Sequence, residues 1–405
     1  MAEHAIAPPA LHPDVFRLPA AHPWTRLPLI GSALAVTGLG ASLALGLGNR
    51  PQLWHSWLVA SLFVLSLALG GLFFVLTQHA TSAGWSGAVR RIAENAMATL
   101  PFVALLFAPL LLGMGELFHW SHADAVASDP LLAHKRAYLN VPFFVARTVL
   151  YFASWCGLAL WFGRLSRRQD RSGEHELSRR MRRASAPALI LFAITVTFAS
   201  FDWLMSLNPH WYSTIFGVYF FAGCLVGIFA FMSLVAIAQG RAGLLVDVVT
   251  VEHRHQIGQL LFAFVAFWAY IAFSQYFLIW YGNIPEETGF FAERLSGSWR
   301  PASVALAVGH FVVPFFFLLP RAVKRSSAAL AAGALWLLAM HLLDLYWLVM
   351  PNLHHGGMAP HLLDFTTLLG AGGLFLAAYG WSSRRQALVP LGDPRLSESL
   401  TFEVI

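Results

Sequence analysis

The sequence predicts an all-α integral membrane protein of ten transmembrane helices, and three observations carry that prediction. Of its 405 residues 58% are apolar and only 11% are charged, with mean hydropathy +0.62, whereas a soluble domain carries about 25% charged residues. Phe and Trp number 33 and 15, as suits a chain whose solvent is lipid, where aromatic rings pack helices and mark the headgroup zones. Ten stretches of bilayer-crossing length, about 20 residues each, alternate with polar or Pro/Gly-containing breaks.

Residues 1–27 form a proline-rich tail without a basic segment ahead of a short apolar stretch, so no cleaved signal is read there. Span 1 runs from Pro28 to Gly48, span 2 from His55 to Thr77, and span 3 from Met97 to Phe118. Span 4 follows Asn140, from Val141 to Gly163, and stops at the basic segment Arg164 to Arg183. Span 5, Ala186 to Leu207, stops at Asn208-Pro209, and span 6 covers Tyr212 to Gln239. Span 7, Ile257 to Gly282, ends ahead of Pro285, and span 8 covers Ala302 to Pro320. Span 9, Ala328 to Met350, stops at Pro351, and span 10, Leu362 to Ser382, leads into a tail of residues 383–405.

An even number of spans puts both termini on one side. That side holds 20 of the 26 Lys and Arg residues and the other side 5, with Arg147 inside a span. The positive-inside rule then predicts cytoplasmic termini. Topology accounts for the pI near 9.6, and the segment Arg164 to Arg183 reads as a topology anchor before it reads as a lipid or nucleic-acid site. The two cysteines, Cys156 and Cys224, lie in apolar runs, which leaves no disulfide framework, no CxxCH haem attachment and no four-thiolate iron–sulfur site. His354 and His355 are adjacent, and no histidine pair has zinc-like spacing with a third ligand.

One repeat is legible. Span 5 ends Asp202-Trp203-Leu204-Met205 before Asn208-Pro209-His210, and span 9 ends Asp344-Leu345-Tyr346-Trp347-Leu348 before Pro351-Asn352-Leu353-His354. An offset of four helices preserves orientation, so two four-helix bundles are expected, spans 2–5 and spans 6–9, with spans 1 and 10 flanking them.

Ionisable groups within lipid are functional or paired. Arg147 and Asp202 lie about 9 Å and about 8 Å inward from one membrane face at 1.5 Å per residue, a depth at which they can meet. A neutralising ion pair and a proton or quinone role both remain open. His310 and His341 lie about 12 Å and about 14 Å inward from the same face. A proton relay or quinone-headgroup contact, satisfied buried polar groups and bis-histidine haem ligation are the three readings, and Asp344 shares the helical face of His341. The acidic and imidazole groups of spans 5, 8 and 9 are expected to face each other. An outer ring follows, made of Glu116, His119, His122, Glu286, Glu287, His354, His355, His361 and Asp364, suited either to solvated helix ends or to proton exit. On the side of the termini Asp247, Glu252, His253 and His255 read as an exposed loop or a proton entrance continuing along Ser274, Gln275 and Tyr276.

The run Val251-Glu252-His253 through Phe262-Ala263-Phe264-Val265-Ala266-Phe267-Trp268 and Ser274-Gln275-Tyr276 to Trp280-Tyr281-Gly282-Asn283-Ile284-Pro285-Glu286-Glu287-Thr288 is long and specific. With Phe201-Asp202-Trp203-Leu204-Met205-Ser206-Leu207-Asn208-Pro209-His210 and the stretch His341 to Leu353, it resembles the second NrfD-like (polysulfide-reductase-type) membrane subunit of bacterial alternative complex III, across essentially all ten spans. The resemblance implies a quinol:cytochrome c oxidoreductase of the bacterial inner membrane, with a sister NrfD-like membrane subunit and periplasmic iron–sulfur and c-haem subunits as partners. It implies no haem or iron–sulfur cluster in this chain, and a quinol or quinone bound mainly by, or shared with, the sister subunit. The residues it carries over are Asp202, His210, Glu252, His253, Glu286, Glu287, His310, His341 and Asp344; Arg147 rests on depth alone. A proton-conducting subunit with a quinone pocket is the expected function, against a scaffold, a secondary transporter or a haem b anchor. The helix breaks fall at span ends and not at the midplane, which speaks against a transporter.

Overall fold

Ten helices long and apolar enough to cross a membrane organise residues 16–403, the part that the computed structural model describes. The chain is 80% helical, and no strand occurs among the described residues. It is an integral membrane protein. The first fifteen residues of the expected N-terminal tail lie outside the described part.

The spans are Pro23–Gly46, Arg50–Thr81, Gly87–Leu111, Val141–Ser172, His175–Leu207, Phe216–Arg241, Val251–Gly282, Trp299–Leu318, Ser327–Asn352 and Leu362–Arg384. Spans 4 and 5 run on through the basic segment Arg164 to Arg183, which is two helix ends and not a loop. They turn at Gly173, whose φ of 65° lies where a side chain would be strained. Span 3 starts ten residues before the expected Met97 and ends at Leu111. Its first turns bury Arg90, Arg91 and Glu94; the two arginines pair with Glu94 and with Asp170 and Asp393 from distant segments, so a hydropathy reading, blind to those partners, places the stretch in a loop.

Spans 2, 3, 4 and 5 pack as one four-helix bundle, with contacts 2–3, 3–4, 4–5 and 2–5; spans 6 to 9 repeat the pattern with 6–7, 7–8, 8–9 and 6–9. The bundles join through spans 2 and 6, the two most deeply buried helices. Spans 1 and 10 form a flanking pair on span 2. Their backbones approach so closely that a Cβ on Gly38 would lie 2.3 Å from the Gly370 nitrogen, and one on Gly373 2.5 Å from the Ala35 nitrogen. Small residues at such a crossing let dispersion and short polar ties hold helices together where lipid removes the hydrophobic drive, and Ser42 Oγ adds a 2.9 Å bond to Thr366 Oγ1.

The C-terminal tail folds back over the face that carries both termini. The Leu388 amide donates to the Phe16 carbonyl at 2.7 Å, Ser399 Oγ accepts from the Ala88 amide at 2.9 Å, and Asp393 pairs with Arg90.

Candidate functional site

Span 9 carries His341 and Asp344 one turn apart, 1% and 2% exposed, at the heart of the second bundle. Asp344 Oδ1 accepts a hydrogen bond from the Tyr219 hydroxyl of span 6, and Oδ2 accepts one from Trp268 Nε1 of span 7 at 3.2 Å. No ion pair to Asp344 occurs among the described residues. The partners of this carboxyl are thus two neutral donors, one from span 6 and one from span 7.

His341 Nε2 lies 2.8 Å from Ser66 Oγ of span 2, and its Nδ1 is buried without a partner among the described residues. Its ring sits in a groove made by Gly223 and Gly227 of span 6, where added Cβ atoms would come to 2.9 Å and 3.2 Å from ring carbons. His310 stands in a π-helical segment, Ala307–Val312, within span 8. Such bulges recur at functional sites because the extra residue re-aims a side chain. The His310 ring lies against Trp268, centroids 3.9 Å apart, and both of its nitrogens are buried and unpartnered among the described residues. An unmet buried donor or acceptor is costly, which marks this group for explanation.

Between spans 7 and 8 a cavity of about 540 Å³ is lined mostly by apolar side chains, among them Ala266, Phe273, Leu306 and Phe311. Tyr219 and Trp268, the two groups bonded to Asp344, belong to its wall. Gln275, Tyr276 and Ser303 add the other polar points, and Gln275 Oε1 accepts from Ser213 Oγ at 3.1 Å. Tyr270 and Phe273 at its rim are 67% and 63% exposed, so the cavity opens on the lipid-facing side of the helices. An apolar cleft with a few convergent polar groups is the usual form of a small-molecule site.

In the first bundle Arg147 Nε and a terminal nitrogen donate to the two oxygens of Asp202, each at 2.8 Å. The Tyr151 hydroxyl adds a third bond at 2.7 Å, and a further Arg147 nitrogen donates to the Tyr138 carbonyl at 3.0 Å. Asp202 is therefore saturated. The expected single cluster across spans 5, 8 and 9 divides in two, because no hydrogen bond or ion pair among the described residues joins Asp202 to Asp344, His310 or His341. The partners that complete each carboxylate come from neighbours within its own bundle.

The remaining predicted residues lie at the two faces. His210 Nε2 is 2.5 Å from Asp129 Oδ2, a bond that holds the half-buried Asp129 carboxyl below its ordinary range. Glu286 and Glu287 occupy the first turn of the short helix Pro285–Arg294, where they complement the helix dipole. Glu252 pairs with Arg325 at 2.7 Å on the face of the termini. His253 caps its own helix through the Thr250 amide at 3.2 Å and meets Ser399 Oγ at 3.2 Å. The expected entrance from Glu252 and His253 is tied into this end structure, and no hydrogen bond among the described residues links it to Asp344.

Sequence reasoning missed Tyr219, Trp268, Ser66 and Arg294. The first three look like ordinary span residues until helices 2, 6, 7 and 9 are assembled. Arg294, at the end of the short helix Pro285–Arg294 between spans 7 and 8, is buried and donates to the carbonyls of Trp347, Leu348 and Phe290 at 3.2, 3.0 and 3.1 Å, closing the end of span 9 just beyond Asp344. Burial pushes its guanidinium down to about 9, so it keeps its charge at neutral pH. The network of Arg90, Arg91, Glu94, Asp170 and Asp393 also went unread, although the Arg–Glu spacings of four and three are a helical signal. No group of three or more His, Cys, Asp or Glu able to hold a metal ion occurs among the described residues. Models of known protein families give no match to the chain, and curated protein sequences give none either.

Proposed function

We propose that this chain is an NrfD-like membrane subunit of a quinol-oxidising, electron-transferring complex, and that it binds a quinol-type ring in the cavity between spans 7 and 8 and takes up a proton there. One observation carries the reading: the two hydrogen-bond donors of a buried, uncompensated carboxylate form part of the wall of an apolar, lipid-facing cavity. The family assignment itself rests on the residue stretches quoted above.

The fit is chemical. A lipid-soluble quinone supplies two-electron, two-proton chemistry, and it needs apolar walls for its ring and a hydroxyl-bonding group at one end. Tyr219 would pass its phenolic proton to Asp344 Oδ1 as its oxygen takes one from a ligand hydroxyl. Trp268 Nε1 would keep Asp344 oriented throughout. His341, one turn away with an open Nδ1, is the next group able to receive the proton. Electrons would leave to partner subunits. Arg147 and Asp202, fully bonded to each other and to Tyr151, serve to hold spans 4 and 5 together.

The test uses the chain in detergent with a photoreactive quinone analogue, followed by peptide mapping. Label is expected on the cavity residues of spans 7 and 8, reduced by Ala307→Trp, which fills the cavity. Label spread evenly over lipid-facing surfaces, or unchanged by the filling substitution, overturns the proposal.

A further inference from the structure

A second cavity, of about 370 Å³, lies on the face of the termini and shares no lining residue with the cavity beside Asp344. Five arginines line it: Arg17 from the segment before span 1, Arg167 and Arg171 from the last turns of span 4, and Arg384 and Arg385 from the end of span 10. None of the five has an ion-pair partner among the described residues. The acidic residue in the lining, Asp170, is bonded by Arg91 and accepts from the Gly392 amide, and it forms no ion pair with any of the five among the described residues.

Topology explains why arginines occur on this face, but not why they converge. Three separate segments deliver them, and tertiary ties hold the segments in place: the Leu388 amide donates to the Phe16 carbonyl at 2.7 Å, beside Arg17 and Arg385, and Arg91 reaches both Asp170 and Gln386. Five like charges around one concavity repel each other, which is tolerable when an anion completes them. Arginine's planar fork suits phosphate oxygens in particular. The cavity stands at the ends of two spans, and the Arg385 guanidinium lies 3.8 Å from the ring centroid of Trp381, a lipid-facing residue of the aromatic belt type. Leu18 and Leu391 supply apolar wall beside the charges.

We infer that this cavity binds a phosphate oxyanion, as the headgroup of an anionic phospholipid or as a soluble phosphate. The experiment titrates the delipidated full chain in neutral detergent with cardiolipin, with phosphatidylcholine and with inorganic pyrophosphate, reading intrinsic tryptophan fluorescence and melting temperature. Wild type is expected to bind cardiolipin and not phosphatidylcholine, and Arg167→Gln with Arg384→Gln is expected to weaken binding by about 25-fold, at about fivefold for each of the two basic residues. Arg167→Lys with Arg384→Lys keeps the charges but not the fork, and is expected to bind more tightly than the glutamine pair and more weakly than wild type, which separates loss of the site from loss of folding. Arg180→Gln with Arg182→Gln, exposed residues outside the cavity, should leave binding unchanged. Pyrophosphate binding with the same mutational pattern, in the absence of cardiolipin binding, assigns the site to a soluble phosphate. The inference is overturned if neither anion binds, if the double glutamine variant binds as wild type does, or if the Arg180/Arg182 variant loses as much as it.

Discussion

Arg147 and Asp202 close two hydrogen bonds of 2.8 Å across spans 4 and 5, whereas the corresponding carboxylate of the second bundle, Asp344, is met by the Tyr219 hydroxyl and Trp268 Nε1 and by no cation among the described residues. The same position in two repeats is thus neutralised in one and left uncompensated in the other. The second lies behind the wall of the cavity between spans 7 and 8. The contrast separates a residue that holds helices together from one able to exchange a proton.

Asp344→Asn keeps the shape and removes the proton acceptor. In the assembled complex, quinol oxidation is expected to fall by about 10²-fold or more, the scale of general acid–base catalysis, with the protein still folded. Tyr219→Phe should act in the same direction. Turnover and proton release in vesicles measure both, and unchanged values for both variants would remove Asp344 from the mechanism.

Asp202→Asn strands the Arg147 guanidinium in a buried place. A loss of about 3–5 kcal/mol is expected for breaking one side of such a pair, while the double substitution Arg147→Met with Asp202→Leu should lose less than either single change. Thermal unfolding in detergent reads the comparison. A double variant less stable than both singles would contradict a purely structural pair.

Gly223→Ala would place a methyl 2.9 Å from His341 Cε1. Overpacking of this kind costs about 1–3 kcal/mol. Adding His341→Ala should recover most of that cost, because the methyl then has room. Independent, additive effects in the double-mutant cycle would show that the groove does not hold the imidazole.

At the face of the termini burial, the largest single effect, pushes the Asp393 carboxyl up, but Arg90 and the Arg395 amide together draw it down, which leaves it below its ordinary range. A carboxyl lowered in the folded state contributes stability that is present above its unfolded value, about 3.9, and is lost as pH falls through the folded one. Limited proteolysis should therefore release the C-terminal tail increasingly below about pH 4, and Asp393→Asn should release it at neutral pH as well. Cleavage independent of pH in wild type would argue that other contacts hold the tail.

Hydropathy was enough for the ten spans and their order, because a bilayer demands about 20 apolar residues for each crossing, and the two-bundle repeat was legible from Asp202 and Asp344, which recur at an offset of four helices. Depth counting along the helices likewise brought Arg147 and Asp202 to one level. What it could not supply was rotation about each helix axis: Tyr219, Trp268 and Ser66 become partners of Asp344 and His341 only once four spans pack, since a hydroxyl or indole in an apolar run has no periodic signature. The buried start of span 3 escaped for a related reason, because Arg90 and Arg91 meet Asp393 and Asp170, the partners that Glu94 alone cannot replace, only in three dimensions. The five-arginine cavity depends on chain segments more than 200 residues apart, from Arg167 to Arg384; linear sequence assigned those charges a side of the membrane, and packing gathered them around one space.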